Sequence, residues 1–287
     1  MAENFDAIII GAGVIGASVG LELARQGWRT LNVDRLPAAG YGSTSASCAI
    51  IRSHYSTLDG TALAFEGYQY WRQWADHLGV DDERGLARFE EVGCAIMKTP
   101  LNGHMASICA NLDALGIAWE DWDNETLSKR LPIYDLHSYA PAKLPDDPGF
   151  GEATGPSMHG AIFTPQAGYI SDPQLATHNV QVAAEAAGGK FRFNCDVIAI
   201  RQMNGRACGI TLANGDEIDA AVVVNVAGPH SSKVNELAGV AESMTIKTRA
   251  LRQEVVHLPS PDGFDYMTHG PVTSDSDISC YSRPEVG

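Results

Sequence analysis

The sequence predicts an α/β protein. Its opening is expected to build a parallel sheet and a later stretch an antiparallel one. Three observations predict this. Ala7-Ile8-Ile9-Ile10 is an apolar, β-branched run without alternation, the mark of a strand buried on both faces. A glycine-spaced turn, a helical stretch stopped by Gly27 and a second short strand complete a βαβ unit. Far downstream, three strand-like runs are joined by Asn204-Gly205 and Asn214-Gly215, the strongest short-range hairpin signals.

Taken in order, the first helix is expected over 17–26 and the second strand over 29–33, ending at Asp34. Residues 40–60 read as a Gly-, Ser- and Thr-rich loop around Ala49-Ile50-Ile51. A single helix is expected over 61–78, with Tyr68, Trp71, Trp74, Ala75 and Leu78 on one packing stripe and Gly79 as its stop. A shorter helix covers 104–115 and stops at Gly116. Residues 136–168, rich in Pro and Gly, read as a long excursion or linker. Asp172-Pro173 is an N-cap followed by proline at the first helical position, opening a helix that ends near Ala187 before Gly188-Gly189. Strands are expected over 191–201, 207–212 and 217–226, with weaker ones over 246–252, 254–258 and 278–282. Arg283-Pro284-Glu285-Val286-Gly287 looks like a strand running into a turn, so the chain is expected to be cut short of its natural C-terminus.

Composition narrows the function. The 287 residues suffice for one large domain or two ordinary ones, and 45% hydrophobic with 19% charged residues is a globular balance. Twenty Lys and Arg against 35 Asp and Glu leave a net charge of −15. Phosphate backbones repel such a chain, which argues against a nucleic-acid partner, and it offers no polybasic membrane anchor. No apolar stretch reaches the length of a membrane span. The six cysteines, at 48, 94, 109, 195, 208 and 280, form no CxxC pair and read as free thiols of a reducing compartment. The acidic N-terminus does not suit a secretory leader, so the expected location is cytoplasmic.

The most informative motif is Gly11-x-Gly13-x-x-Gly16, set between strand and helix with Asp34 ending the second strand. Gly11 permits the tight turn, Gly13 lets backbone approach a pyrophosphate, and Gly16 lets the helix pack close to the sheet, an effect Gly20 extends. The pyrophosphate then rests on the helix N-terminus, where free N–H groups and the dipole favour an anion. Asp34 is suited to accept from ribose hydroxyls and disfavours a 2′-phosphate, hence NADP. This is a Rossmann-like dinucleotide site. Other constellations fail. Asp121-x-Asp123-x-Glu125 has Thr126 where a calcium loop turns on glycine, and the nine histidines lack metal spacing, so no metal is expected. There is no Gly-x-Ser-x-Gly elbow.

Three passages resemble the FAD-dependent amine oxidoreductases related to D-amino-acid oxidase, sarcosine oxidase and glycine oxidase: residues 6–16, 42–55 and 222–231. Residues 160–165 and 168–170 look similar too, and the second passage looks most like sarcosine oxidase beta subunits and dimethylglycine-oxidising enzymes. The resemblance implies FAD. It places Gly11, Gly13, Val14, Ile15, Gly16, Asp34 and Arg35 against the cofactor, and runs Ser43, Thr44, Ser45, Ala46 and Ser47 along the pyrophosphate toward the isoalloxazine ring. Val197 would touch the adenine through its backbone, and Ala227 and Gly228 would close over the cofactor. Arg52 would stand beside the ring, stabilising an anionic reduced flavin or holding a substrate carboxylate. Tyr281 and Arg283 would belong to the substrate side; Glu285 stands where glycine oxidase-like members carry a carboxylate-gripping arginine. His54 and Tyr55 are further pocket candidates, and Cys48 lies in the loop near the ring.

The architecture the resemblance implies is a Rossmann-like FAD-binding domain, discontinuous over 1–88 and 156–235, with an incomplete substrate domain built on an antiparallel sheet over 89–155 and 236–287. The implied reaction oxidises the C–N bond of a small amine or amino acid of sarcosine, dimethylglycine or D-amino-acid type by hydride transfer to flavin N5, with oxygen or an electron carrier as acceptor. Two alternatives stay open: a hydroxy-acid or glycerol-3-phosphate dehydrogenase on the same fold, and a non-catalytic FAD-binding fragment or subunit. A homo- or hetero-oligomer is equally open.

Overall fold

The computed structural model describes residues 4–285; Val286 and Gly287, the end of the expected final turn, lie outside them. The chain divides into two compact units, Met1–Ser47 with Ala75–Ala87 and Asp172–Val255, and Cys48–Trp74 with Arg88–Ser171 and Val256–Gly287. These cuts fall at other points than 88, 156 and 235. Among the described residues no helix is long and apolar enough to cross a membrane.

The first unit carries a six-stranded sheet in the order Lys190–Arg192, Thr30–Val33, Asn4–Ile10, Glu217–Asn225, Arg206–Leu212, Val197–Met203. The first four strands run parallel and the last two form an antiparallel meander. Phe5, Ile8, Ile10, Leu31 and Val33 pack with Ile200, Ile210, Leu212, Ile218 and Val234. Ala7 and Ile9, which alternate with them along the strand, are fully buried as well. The Val14–Arg25 helix, burying Ala17, Leu21 and Ala24, meets the Pro173–Ala186 helix, burying Ala176, Val180, Ala183 and Ala184. Small residues at this seam let the helices come close. As the sequence indicates, Asp172 caps the second of them, accepting from the N–H groups of Gln174 and Leu175 at 2.9 Å.

The run over 191–201 is not one strand. It breaks into Lys190–Arg192 and Val197–Met203, which lie at opposite edges of the sheet. Asn194 turns the chain in the left-handed region, at φ 55. Its N–H donates to the Leu36 carbonyl at 3.1 Å and that of Cys195 to the Asp34 carbonyl at 2.9 Å. Those bonds tie the break to the loop that follows the second strand.

The second unit holds a five-stranded sheet in the order Cys280–Ser282, Val272–Asp275, Cys94–Met97, Ala161–Thr164, Glu120–Trp122. It is antiparallel except where Val272–Asp275 runs parallel to Cys94–Met97. Cys94 and Ile96 pack with Ile162, Tyr169 and Val272, while Ala95 and Met97 pack with Trp122, Leu127 and Leu131 on the opposite face. A smaller sheet pairs Gly168–Ile170 with Ile50–Ile51 and Phe89–Glu90. Three expectations are corrected here, and one strand was not foreseen. Residues 136–168 are no linker, since they supply the Ala161–Thr164 strand of the main sheet. The helix expected over 61–78 is two, Leu58–Arg72 and Trp74–Leu78, and it starts early because Thr57 accepts from the Gly60 N–H. The stretch over 246–258 forms no strand: Ile246, Leu251 and Leu258 are exposed and no neighbour pairs with them. The strand at Val272–Asp275 had no alternation to reveal it.

Asn32, buried in the second strand, ties the first unit together. Its side-chain amide donates to the Gly16 carbonyl at 2.8 Å and to the Gly11 carbonyl at 3.3 Å. A Cβ at Gly20 would lie inside 3.0 Å of its Oδ1. Gly20→Ala should therefore cost about 2 kcal/mol in urea unfolding, and clearly less in an Asn32→Ala background. Equal costs in the two backgrounds would show that this amide does not limit the helix approach.

Candidate functional site

The glycine turn is built by close approach. Gly11 has φ 119, and a Cβ there would fall inside 3.0 Å of the Val226 carbonyl; one at Gly16 would do the same to the Gly11 carbonyl. At Gly13, the extended N-cap of the helix, the nearest neighbour to a Cβ is the Thr44 hydroxyl at 3.1 Å. That hydroxyl accepts from the Val14 N–H at 3.2 Å. Asp34 locks the turn from the second strand, one carboxylate oxygen accepting from the Ala12 N–H at 2.8 Å and the other from the Leu36 N–H at 2.9 Å. The Gly40 N–H donates to the Ala12 carbonyl at 2.8 Å, which brings the 40–47 loop over the turn.

A cavity of about 730 Å³ opens above these groups, within the first unit. Of the residues expected to hold a cofactor, Gly11, Gly13, Asp34, Arg35, Ser43, Thr44, Val197, Ala227 and Gly228 line it together. Val14 and Ile15 form the first turn of the helix outside the lining, with Ile15 largely exposed, and Gly16 lies behind it as a packing residue. Ser45, Ala46 and Ser47 are exposed beyond the cavity edge; Ser45 and Ser47 hydroxyls donate back to the Gly42 and Thr44 carbonyls at 3.0 and 2.8 Å. Leu36, Cys195, Asp196, Pro229, His230 and Lys233 also line the cavity and were missed. The Arg35 guanidinium lies 3.1 Å from His230 Nε2, so one wall is tied to the other. Their contribution depends on the Asn194 turn and the strand-end turn, and no spacing in the sequence announces it.

This is a cradle for a dinucleotide: bare backbone at a helix N-terminus and a carboxylate at the end of the second strand, both lining one cavity. The fold and the site thus define a dinucleotide-binding α/β protein. More particularly, the chain belongs to the FAD dependent oxidoreductase (DAO) family, whose profile matches residues 6–287. It is 26% identical over 265 residues to the bifunctional protein MnmC of tRNA 5-methylaminomethyl-2-thiouridine biosynthesis from Paraburkholderia xenovorans, covering 91% of this chain and 35% of that protein. It is 25% identical over 240 residues to a glycerol 3-phosphate dehydrogenase from Caloramator mitchellensis, covering 81% of this chain and 44% of that protein. The chain therefore spans less than half of these relatives. The structure of L-proline dehydrogenase from P. horikoshii shares the fold, with a TM-score of 0.67 at 19% identity over 84% of this chain and 57% of that one. FAD, the cofactor of the family, suits the residues present: Gly11 and Gly13 leave bare backbone at the helix N-terminus, and Asp34, Ser43 and Thr44 line the same cavity.

The three expected catalytic residues lie in the second unit. Arg52 is half-buried, donates to His54 Nε2 at 2.9 Å, and sits 5.0 Å from the centre of the Tyr55 ring. Among the described residues it forms no ion pair. Arg283 is committed elsewhere: it pairs with Glu285, donates to the Pro284 carbonyl at 2.9 Å, and lies 4.4 Å over the Tyr169 ring. Tyr281 is 51% exposed on the edge strand. Burial pushes the Cys48 thiol up, and the six cysteines are free. Among the described residues no group of three or more His, Cys, Asp or Glu could hold a metal. His54 is the most perturbed histidine: burial, reinforced by Arg52, pushes its pKa down to about 3.

Two results should follow. Gly13→Val should abolish FAD binding while leaving the circular dichroism unchanged, and Asp34→Ala should weaken FAD about tenfold without creating NADP binding; a fully yellow Gly13→Val protein would contradict the cradle. As for pH, His54 binds a proton in the unfolded chain below about 6.5 but not in the folded protein until about pH 3. As the pH is lowered through that window stability should thus fall on this residue's account, by at most on the order of 1 kcal/mol per pH unit, and His54→Gln should flatten the slope in urea titrations.

Proposed function

We infer that the protein is an FAD-dependent oxidoreductase that oxidises the C–N bond of a small amino acid, of the sarcosine, dimethylglycine or D-amino-acid type, and that Arg52 anchors the substrate carboxylate. One observation carries the reading. Among the described residues, Arg52 is a half-buried guanidinium without an acidic partner, in a chain of net charge −15, whereas Arg283 already holds Glu285. A permanent charge left unpaired and partly desolvated favours an anion supplied from outside. A carboxylate fits the planar fork of a guanidinium better than it fits a point charge.

When bound, FAD supplies the two-electron acceptor for this oxidation. The glycine turn, Asp34, Ser43 and Thr44 would hold its dinucleotide part. Arg52 fixes the acid end of the substrate and so orients the carbon next to nitrogen. Tyr55 stacks on Arg52 and limits where the guanidinium can turn. No side chain has to move a proton, provided the amine binds unprotonated. The names of two similar proteins, one of methylaminomethyl chemistry and one an L-proline dehydrogenase, support a secondary amine as donor. The similarity to a glycerol 3-phosphate dehydrogenase supports a second reading, in which Arg52 takes a phosphate and a C–O bond is oxidised.

Anaerobic bleaching of the bound flavin distinguishes them. The cofactor-loaded protein should be bleached by a member of a panel of N-methyl and D-amino acids and L-proline, and not by glycerol 3-phosphate. Arg52→Ala should slow that bleaching on the order of 100-fold, Arg52→Lys should recover only part of it, and Arg283→Ala should cost far less. Bleaching by glycerol 3-phosphate alone would favour the second reading. An Arg52→Ala protein bleached at the wild-type rate would remove Arg52 from the site.

A further inference from the structure

We propose that His54 is a positioning residue whose Nε2 holds the Arg52 guanidinium in place for a substrate carboxylate; this rests on the reading of Arg52 as the carboxylate anchor.

The chemistry of the pair allows one arrangement. A guanidinium has only donors, so at 2.9 Å from Arg52 Nη1 the His54 Nε2 must accept. The imidazole is then neutral, with its proton on Nδ1. Burial and the neighbouring positive charge both disfavour the imidazolium, which agrees with that tautomer. His54 is 4% exposed, and its Nδ1 is buried with no hydrogen-bond partner among the described residues. An orphaned buried N–H costs stability that a leucine of similar bulk would not cost. The ring does offer one thing a leucine cannot, the acceptor on Nε2.

That acceptor is neutral, and the sign matters. A carboxylate in its place would neutralise Arg52 and compete with the substrate, as Glu285 does at Arg283. A neutral acceptor orients the guanidinium and leaves its charge uncompensated. The remaining surroundings also spare the charge: the Tyr55 ring at 5.0 Å and the thiol of Cys94, which burial pushes up to about 12, so that it stays protonated. The Tyr55 backbone is itself pinned, its carbonyl accepting from Thr61 at 3.2 Å and from Asn111 at 3.1 Å. Arg52 is thus fixed from two directions without being neutralised from either.

The test uses the whole cofactor-loaded chain and acetate as an inert carboxylate probe. His54→Leu removes the acceptor at similar volume; His54→Gln keeps an acceptor oxygen; Arg52→Ala is the reference. Acetate affinity, read by isothermal titration, should fall about tenfold in His54→Leu and return to within about threefold of wild type in His54→Gln. In the wild-type protein labelled with ¹⁵N-histidine and ¹⁵N-arginine, His54 should show Nδ1 protonated and Nε2 as acceptor, and the Arg52 guanidinium nitrogens should be resolved by slow rotation. Unchanged acetate affinity in His54→Leu, with loss in Arg52→Ala, would overturn the positioning role and leave the anchor standing. No loss in Arg52→Ala would overturn the anchor and the proposal with it. If His54→Leu does not fold, the wild-type spectrum decides: a proton on Nε2, or a charged ring, overturns the proposal.

Discussion

Everything in the first unit depends on how closely one helix N-terminus can approach the edge of a sheet. Side chains at Gly11 or Gly16 would strike backbone carbonyl groups, of Val226 and of Gly11 itself. With hydrogen there instead, the Val14–Arg25 helix starts directly over the end of the Asn4–Ile10 strand, and its dipole points into the cavity. Asn32 holds the same approach from the second strand, and Asp34 ties the turn at Ala12 to the chain that follows. The parallel sheet, the Asn194 break and the loop over 40–47 are arranged around that one contact.

The second unit poses a problem of charge. It contains two partly buried arginines of interest and treats them differently. Arg283 is neutralised by Glu285 and stacked on Tyr169. Arg52 is oriented by a neutral imidazole and an aromatic ring and keeps its charge. If Arg52 anchors the substrate, the glutamate at 285 has a consequence beyond its own position: it takes Arg283 out of competition for the same carboxylate.

The βαβ start was legible because each of its parts has a local cause. Strand burial reads as an unbroken apolar run, the turn as glycine spacing, the helix end as Gly27. The Asp172 cap and the Asn-Gly hairpins were legible for the same reason. What escaped depends on distant partners. The break at Asn194 exists because Leu36 and Asp34 accept its N–H groups, and the Ala161–Thr164 strand exists because Cys94–Met97 and Glu120–Trp122 flank it. His230 and Lys233 reach the cavity only because the chain turns at Gly228, where φ is 56. The half of the cradle made by the glycine turn and Asp34 was therefore readable; in the opposite wall Val197, Ala227 and Gly228 were marked by resemblance, and Cys195, Asp196, Pro229, His230 and Lys233 were not. Arg52 was marked by resemblance too; its lack of a counter-ion among the described residues, which separates it from Arg283, is a property of the folded chain alone.

The central claim is that one chain holds FAD on the glycine turn and an amino-acid carboxylate on Arg52. A crystal structure of the protein with FAD and an unreactive N-alkyl amino-acid analogue tests it most directly. The expected result is a pyrophosphate against the backbone of Gly11 and Gly13, a ribose on Asp34, and the carboxylate of the analogue paired with the Arg52 guanidinium while His54 still accepts from it. A carboxylate bound to Arg283 with Glu285 displaced, or a cofactor lying away from the glycine turn, would contradict it.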